Sequence, residues 1–287
     1  MRYRRKFYGF SDIGRKRSLN EDAFYCSELE GLCIVADGMG GHSFGEVASR
    51  MVVEGIREYF RQNIFPMSFS LEEGLVERVN RVQLEIQQAA QYANRNIYSA
   101  FKVEGEGGKR MGSTLVMSYF FQGYAILANV GDSRGYLYRD GHLRQLTQDH
   151  TVLNRWLEAN QITEAEAERL RSKNARFVTR ALGARPKVEM DIYIEPICLG
   201  DLYLLCTDGL TDLVEDGEIR GVLEWGGGGD LEGIAKRLVG CANARGGKDN
   251  ITVVLASFEA VSEGEDTEFF YRDKEPATEV FRRDRLQ

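Results

Sequence analysis

The sequence predicts an α+β fold in which antiparallel sheets pack together with helices outside. Three observations carry that expectation. Apolar β-type runs recur and end at aspartates, in Leu32-Cys-Ile-Val-Ala-Asp37, Leu127-Ala-Asn-Val-Gly-Asp132 and Leu202-Tyr-Leu-Leu-Cys-Thr-Asp208, while Asp249 stands just before Ile251-Thr-Val-Val-Leu-Ala256. Long segments with three- and four-residue apolar spacing lie early in the chain, and shorter ones lie late. Strands and helices come in runs rather than in strict alternation, which favours α+β over a parallel α/β sheet, and 287 residues can bury a large core.

Taken in order, residues 1–10 are basic with no apolar segment behind them, so they are not read as a signal peptide. Ser11 to Cys26 reads as a polar loop entering a short strand, followed by the strand 32–36 and the glycine turn Gly38-Met-Gly-Gly-His42. Glu46 to about Arg61 has helical spacing at Ala48, Met51, Val52, Gly55 and Tyr59. Leu71 to about Phe101 is the longest periodic segment, through Leu75, Val79, Val82, Ile86, Ala90, Ala93 and Ile97, and is expected to be a packing helix. Strands then follow at 113–121, 124–130, 136–138 and 142–146, the last two joined across Asp140-Gly141, a strong hairpin signal.

Asp149 to Lys173 is polar and helical, with a capping pair at Thr163 and Glu166, and interrupts the strands, which places it outside the sandwich. Strands resume at 190–194 and 202–206, helices are expected at 211–223 and 231–244 around Gly226-Gly-Gly-Gly229, and the last strand ends near Phe258. Residues 259–287 carry scattered charge without a sustained period and are expected to form a disordered or loosely docked tail.

Composition excludes several classes. A net charge of −7 argues against nucleic acid as the main partner, because phosphate backbones call for a basic face. No apolar stretch approaches the roughly 20 residues of a membrane span. Cys26, Cys33, Cys198, Cys206 and Cys241 form no CxxC pair and mostly sit in apolar runs, which fits buried thiols of a cytoplasmic protein better than disulfides or zinc.

The chemistry lies in the aspartates. In antiparallel sheets the end of one strand lies beside the beginning of its neighbour, so Asp37, Asp132, Asp208 and Asp249 can meet at one rim. Carboxylates crowded there repel, and burial adds a desolvation cost, so the arrangement calls for cations. Oxygen-only ligands suit Mg²⁺ or Mn²⁺, as two or three ions.

The order of motifs resembles the bacterial form of the metal-dependent type 2C serine/threonine protein phosphatases. The matching stretches are Gly14-Arg-Lys-Arg-Ser-Leu-Asn-Glu-Asp22, Ala36-Asp-Gly-Met-Gly-Gly-His42, Gly112-Ser-Thr114, Asn129 to Arg134, Leu146 to His150, Thr179 to Gly183, Cys206 to Leu210 and Gly247 to Thr252. The resemblance implies a domain over residues 7–258, an antiparallel β-sandwich flanked by helices on both sides in α-β-β-α layers, with a small flap subdomain at about 151–177. It implies hydrolysis of phosphoserine and phosphothreonine monoesters on proteins, opposing a cytoplasmic serine/threonine kinase, and a monomer.

By the same resemblance, Asp37 bridges two metals with the Gly38 carbonyl completing one of them, and Asp208 and Asp249 bind the first. Glu21 acts through metal-bound water, with Asp22 supporting that shell. A third, weaker metal site uses Asp132 together with Asp208, and Arg17 holds the substrate phosphate. Two metal ions lower the pKa of a bridging water, giving hydroxide for in-line attack on phosphorus, while the planar fork of Arg17 suits two phosphate oxygens.

The sequence departs from the wider family in two places, at Met39 and in the charged flap segment Thr151 to Phe177. Met39 stands where eukaryotic members carry a histidine assigned as general acid, and neither it nor His42 takes that role by resemblance. Thr278 in the tail, among acids and before apolar residues, is a candidate kinase site.

Three other readings compete. Gly131-Asp-Ser133-Arg-Gly135 fits the G-x-S-x-G nucleophile elbow of a serine hydrolase, but the elbow must turn into a helix and residues 136–146 alternate as a hairpin. A catalytically silent binding module on the same fold is the nonenzymatic alternative. A phosphate-binding P-loop at Gly246-Gly-Lys248 fails because position 242 is Ala and Asp249 follows the lysine.

Overall fold

A computed structural model describes residues 3–40, 44–103, 111–171 and 177–260. His42, residues 172–176 of the expected flap, and the tail beyond 260 with Thr278 lie outside the described residues.

The strands form two antiparallel sheets. One runs β1 (Tyr3–Asp12), β11 (Ile251–Ala260), β10 (Leu202–Cys206), β7 (Arg134–Arg139), β8 (His142–Gln145). The other runs β2 (Asp22–Ser27), β3 (Leu32–Met39), β5 (Leu115–Phe121), β6 (Tyr124–Val130), β9 (Asp191–Pro196), with the short β4 (Gly112–Ser113) pairing onto the end of β3. Helices α1 (Phe44–Tyr59) and α2 (Leu75–Val103) cover the second sheet, and α6 (Asp216–Gly226) and α7 (Leu231–Ala244) cover the first.

The period of two along each strand explains why the strands read as continuous apolar runs. In β3, Leu32, Ile34 and Ala36 face α1 and α2, whereas Cys33 and Val35 face the other sheet. In β11, Ile251, Val253 and Leu255 face α6 and α7, and Val254, Ala256 and Phe258 enter the space between sheets. Both faces are covered, so both sets of positions must be apolar. The result is the four-layered α-β-β-α sandwich expected from the sequence.

Several boundaries differ from the sequence expectations. Strand β1 was not anticipated: residues 3–12 pair with β11 along its whole length, from Tyr3 against Ala260 to Asp12 against Ile251. Arg4, Arg5 and Lys6 hide that strand in the sequence, and they are what an edge strand carries to discourage pairing with a further chain. Lys6 Nζ lies 2.8 Å from Glu259 on the neighbouring strand.

The long helix begins at Leu75 rather than Leu71, and its Arg78 side chain bonds back to the Ser70 and Glu73 carbonyls of the preceding turn. The expected helix 211–223 is a short α5 (Asp208–Thr211) followed by α6, and the polar segment 149–173 is divided into α3 (Val152–Glu158) and α4 (Glu164–Arg171). At the second of these the expected capping pair forms. Thr163 N–H donates to Glu166 Oε2 (2.8 Å) and Glu166 N–H donates to Thr163 Oγ1 (3.3 Å).

Far from the aspartate rim, the Asp201 carboxylate is buried before β10 and accepts both Nε and Nη2 of Arg139, each at 2.6 Å, together with the Cys198 N–H at 2.8 Å. Arg139→Ala would strand that charge. The expected cost is about 3 kcal/mol, read as a lowered urea midpoint, with Arg139→Met/Asp201→Leu closer to the parent.

Candidate metal centre

The site forms where the ends of both sheets meet. Antiparallel register sets Asp22 on β2 directly opposite Asp37 on β3. From the other sheet, β10 runs out through Thr207 into Asp208 at the start of α5, and β11 begins just after Asp249 and Asn250. Asp132 follows the end of β6 in the turn to β7.

Neutral side chains tie these pieces together. The Asp22 carboxylate accepts from Thr207 Oγ1 (3.0 Å), just past β10, and from Thr252 Oγ1 (2.6 Å) on β11, so an acid of one sheet is bonded to two neighbouring strands of the other. Asn250 Oδ1 accepts from the Glu21 N–H (2.8 Å), and its Nδ2 donates to the Ile13 and Leu19 carbonyls (3.0 Å each). Thr114 Oγ1 accepts from the Asp37 N–H (2.9 Å) and lies 2.7 Å from Ser133 Oγ. None of Thr114, Thr207, Thr252 or Asn250 was singled out from the sequence as a site residue, because their partners are remote along the chain.

Glycine at 38 is a packing requirement. A Cβ there would overlap the Gly45 carbonyl at the start of α1 and approach the Glu21 carbonyl to 2.6 Å. The Gly38 carbonyl oxygen and Glu21 Oε1 in turn both face Gly45, so a carbonyl and a carboxylate converge beside Asp37.

The electrostatics show what the cluster lacks. Burial, and then the charges of Asp208, Asp22, Asp132 and Asp249, push the Asp37 carboxyl well above the usual carboxylate range. Burial pushes Asp22 up to about 7 despite its two hydroxyl donors, and pushes Asp132 up to about 8 with Asp208 and Asp149 adding to it. Glu21 is raised by burial and by Asp249 against the pull of Arg17. These acids sense one another and resist ionising together, a condition that a bound cation relieves. The donors are all oxygens, so the residues fit Mg²⁺ or Mn²⁺.

Arg17 brings a cation to these acids. Its Nη2 lies 2.7 Å from Asp249 Oδ2 and its Nη1 3.7 Å from Glu21 Oε2. Its partner here is thus a carboxylate expected to hold metal. Among the described residues no three acidic, thiol or imidazole side chains are grouped so as to hold an ion by themselves.

The sequence reading also passed over Asp149 and His150. Arg134 grips Asp149 through Nε and Nη2 at 2.8–3.1 Å, beside Asp132. The Gly131 N–H donates to His150 Nδ1 (3.1 Å), and His150 Nε2 lies 3.2 Å from Asp191 Oδ2. The motif at residues 146–150 flagged the stretch but not its partners. A cavity of about 730 Å³ opens on this side, lined by Asp132, Asp208, Arg134, Asp149 and the α5–α6 turn. Met39 is partly buried and close to Gly112, offering no proton donor.

The serine hydrolase reading does not survive the geometry. Ser133 is buried, its hydroxyl is paired with Thr114, and it leads into strand β7 rather than a helix.

Comparison with known proteins gives one consistent result. The family described as Protein phosphatase 2C matches residues 13–255. The chain is 35% identical over 261 residues to the serine/threonine phosphatase stp of Listeria monocytogenes, covering 89% of this chain and 97% of that protein. It is 33% identical over 250 residues to protein phosphatase PhpP of Streptococcus pneumoniae, covering 86% and 95%. Among solved structures, the Mycobacterium tuberculosis serine/threonine phosphatase PstP/Ppp superposes with a TM-score of 0.74 at 34% identity, covering 89% and 99%. The catalytic domain of PstP in complex with two manganese ions superposes with a TM-score of 0.73 at 33% identity, covering 90% and 100%.

Proposed function

Because the chain belongs to the protein phosphatase 2C family, we propose that Asp37, Asp208, Asp249 and Asp132 hold its metal ions and that Arg17 receives the substrate phosphate. The protein is a metal-dependent serine/threonine protein phosphatase that uses Mn²⁺ or Mg²⁺. The observation that carries the residue assignment is the convergence of five aspartates from two sheets into one mutually repelling cluster.

The groups divide by task. Asp37, Asp208 and Asp249 supply charge for two ions, with the Gly38 carbonyl as a neutral ligand, and Asp132 with Asp208 serves a third. Bound there, the ions supply Lewis-acid charge to the phosphoryl oxygens and acidify water towards neutrality. Glu21 acts beyond the direct ligands, as does Asp22, whose Thr207 and Thr252 donors fix its orientation. Arg17, 45% exposed, is free to exchange the Asp249 carboxylate for a phosphate, and its guanidinium stays charged throughout. The segment 151–177, with α3 and α4 on their own small apolar cluster of Leu153 and Ala167, is assigned as the flap beside this cleft.

A phosphothreonine peptide and p-nitrophenyl phosphate are expected to be hydrolysed with Mn²⁺, with activity lost in chelator and restored by the metal. A silent binding module would retain the peptide and release no phosphate. Arg17→Ala is expected to raise KM for the peptide about tenfold, the scale of one charge-assisted contact, with a smaller change in kcat. An unchanged KM would remove Arg17 from its role.

The protein is further assigned as a cytoplasmic monomer that opposes a serine/threonine kinase. Free cysteines support the compartment, and among the described residues no helix is long and apolar enough to cross a membrane. Light scattering giving a mass other than 32.5 kDa would overturn the monomer.

A further inference from the structure

We infer that the rim formed by Arg15, Lys16 and Lys248 selects phosphoprotein segments that carry additional negative charge next to the scissile phosphate. The inference rests on the phosphatase assignment and adds a substrate class to it.

The chain is acidic as a whole, with a net charge of −7, yet one edge of the site is not. The loop bearing Arg15, Lys16 and Arg17 is fastened to the loop bearing Lys248. The N–H groups of Arg15 and Lys16 both donate to the Gly247 carbonyl, at 2.7 and 3.2 Å. Asp12 Oδ1 accepts from the Gly14 N–H (2.8 Å) and from Asn243 Nδ2 (3.0 Å), which further ties the loop to the end of α7.

The approach is as close as backbone allows. Gly14 (φ +80°) would drive a Cβ into the Asp249 carbonyl, and Gly247 (φ +46°) would set one 2.8 Å from the Arg15 nitrogen. Both positive φ values favour glycine. The cations are therefore carried on a rigid double loop whose other members, Arg17 and Asp249, belong to the site itself.

Arg15, Lys16 and Lys248 are exposed, and among the described residues none of them makes an ion pair. Arg245 on the same loop is already paired with Glu218 at 2.6 Å. The cavity on the Asp132 side is walled instead by Asp212, Glu215 and Asp216, and includes none of these cations. The two sides of the cleft thus differ in sign. An anionic flank is attracted to one side and repelled by the other, which fixes the direction of the bound segment as well as its composition. Acidic side chains and a second phosphate share the chemistry this rim recognises.

The test uses the full chain with Mn²⁺ and three peptides. They are identical around one phosphothreonine, with the flanking positions as Gln, as Glu, or as a second phosphothreonine. At low salt kcat/KM is expected to be about tenfold higher for an anionic peptide than for the Gln peptide, and the advantage should shrink as added salt shortens the screening length from about 30 Å to about 8 Å. A Glu advantage identifies acidic side chains, and an advantage confined to the doubly phosphorylated peptide identifies a second phosphate. In Arg15→Gln/Lys16→Gln/Lys248→Gln the advantage should fall below about twofold while p-nitrophenyl phosphate turnover stays within about twofold of the parent, since rim charges act mainly on encounter.

No advantage in the parent protein at low salt, or one retained in the triple variant, would overturn the inference. The salt series on the parent decides the matter even if the triple variant folds poorly. Failure of the parent to hydrolyse p-nitrophenyl phosphate with Mn²⁺ is a different result, which overturns the phosphatase assignment and this inference with it.

Discussion

Asp37→Asn is expected to lower Mn²⁺-dependent turnover of a phosphothreonine peptide by at least about 10²–10³-fold, the scale of losing one preorganised charged partner at the reacting centre. Asp37 is the acid surrounded by all the others, feeling the charges of Asp208, Asp22, Asp132 and Asp249. Its removal should affect stability in the opposite sense. In chelator the variant should melt at a higher temperature than the parent, because one repelling charge is gone. The thermal stabilisation that Mn²⁺ gives the parent should be largely lost.

The sign of the accompanying pH dependence follows from the direction of the shifts. Asp22 and Asp132 have folded-state values raised to about 7 and about 8, above those of unfolded aspartates. The folded protein therefore binds more protons than the unfolded one between about pH 4 and pH 8, and its stability in chelator falls as pH rises through that window. A melting temperature in chelator that rises steadily from pH 5 to pH 8 would show that the carboxylates do not crowd as described.

Gly38→Ala carries the second large effect. The added methyl would meet the Gly45 carbonyl and the Glu21 carbonyl, both backbone atoms with no side-chain torsion to yield. Helix α1 must then move off β3, and with it Ala48, Val52 and Ile56 from the core under the sheet. A loss of about 1–3 kcal/mol is expected from overpacking alone, read from denaturant unfolding. The same shift displaces the Gly38 carbonyl and Glu21 from beside Asp37, so turnover should fall further than stability does. A Gly38→Ala protein with parental activity would mean that the close approach of α1 to β3 has no part in the site.

The readable parts of the fold were those with local causes. Strands β3, β10 and β11 announced themselves because both faces are covered and most positions are apolar. Helix α7 was read with its ends, since Asp230 caps it by accepting from the Gly233 N–H and its apolar spacing runs unbroken to Ala244. Strand β1 was missed because its stability comes from pairing with β11, at the other end of the chain, while its own residues look like a charged leader. The break between α5 and α6 was missed for a similar reason. Leu210 in α5, Val214 in the interruption and Ile219 in α6 keep apolar spacing and are all buried.

The sequence by itself determined the layered α+β architecture, the aspartates that stand at strand ends, and the oxygen-only character of the site. All of these follow from residue type and short-range spacing. Only the tertiary structure decided which groups hold those acids, that Asp22 is bonded to threonines of the opposite sheet, that Arg17 rests on Asp249, and that the loop of Arg15 and Lys16 is fastened beside Lys248. Those facts depend on contacts between residues up to 232 positions apart. No local pattern encodes them, because a hydrogen bond or a charge acts through distance in space and is indifferent to distance along the chain.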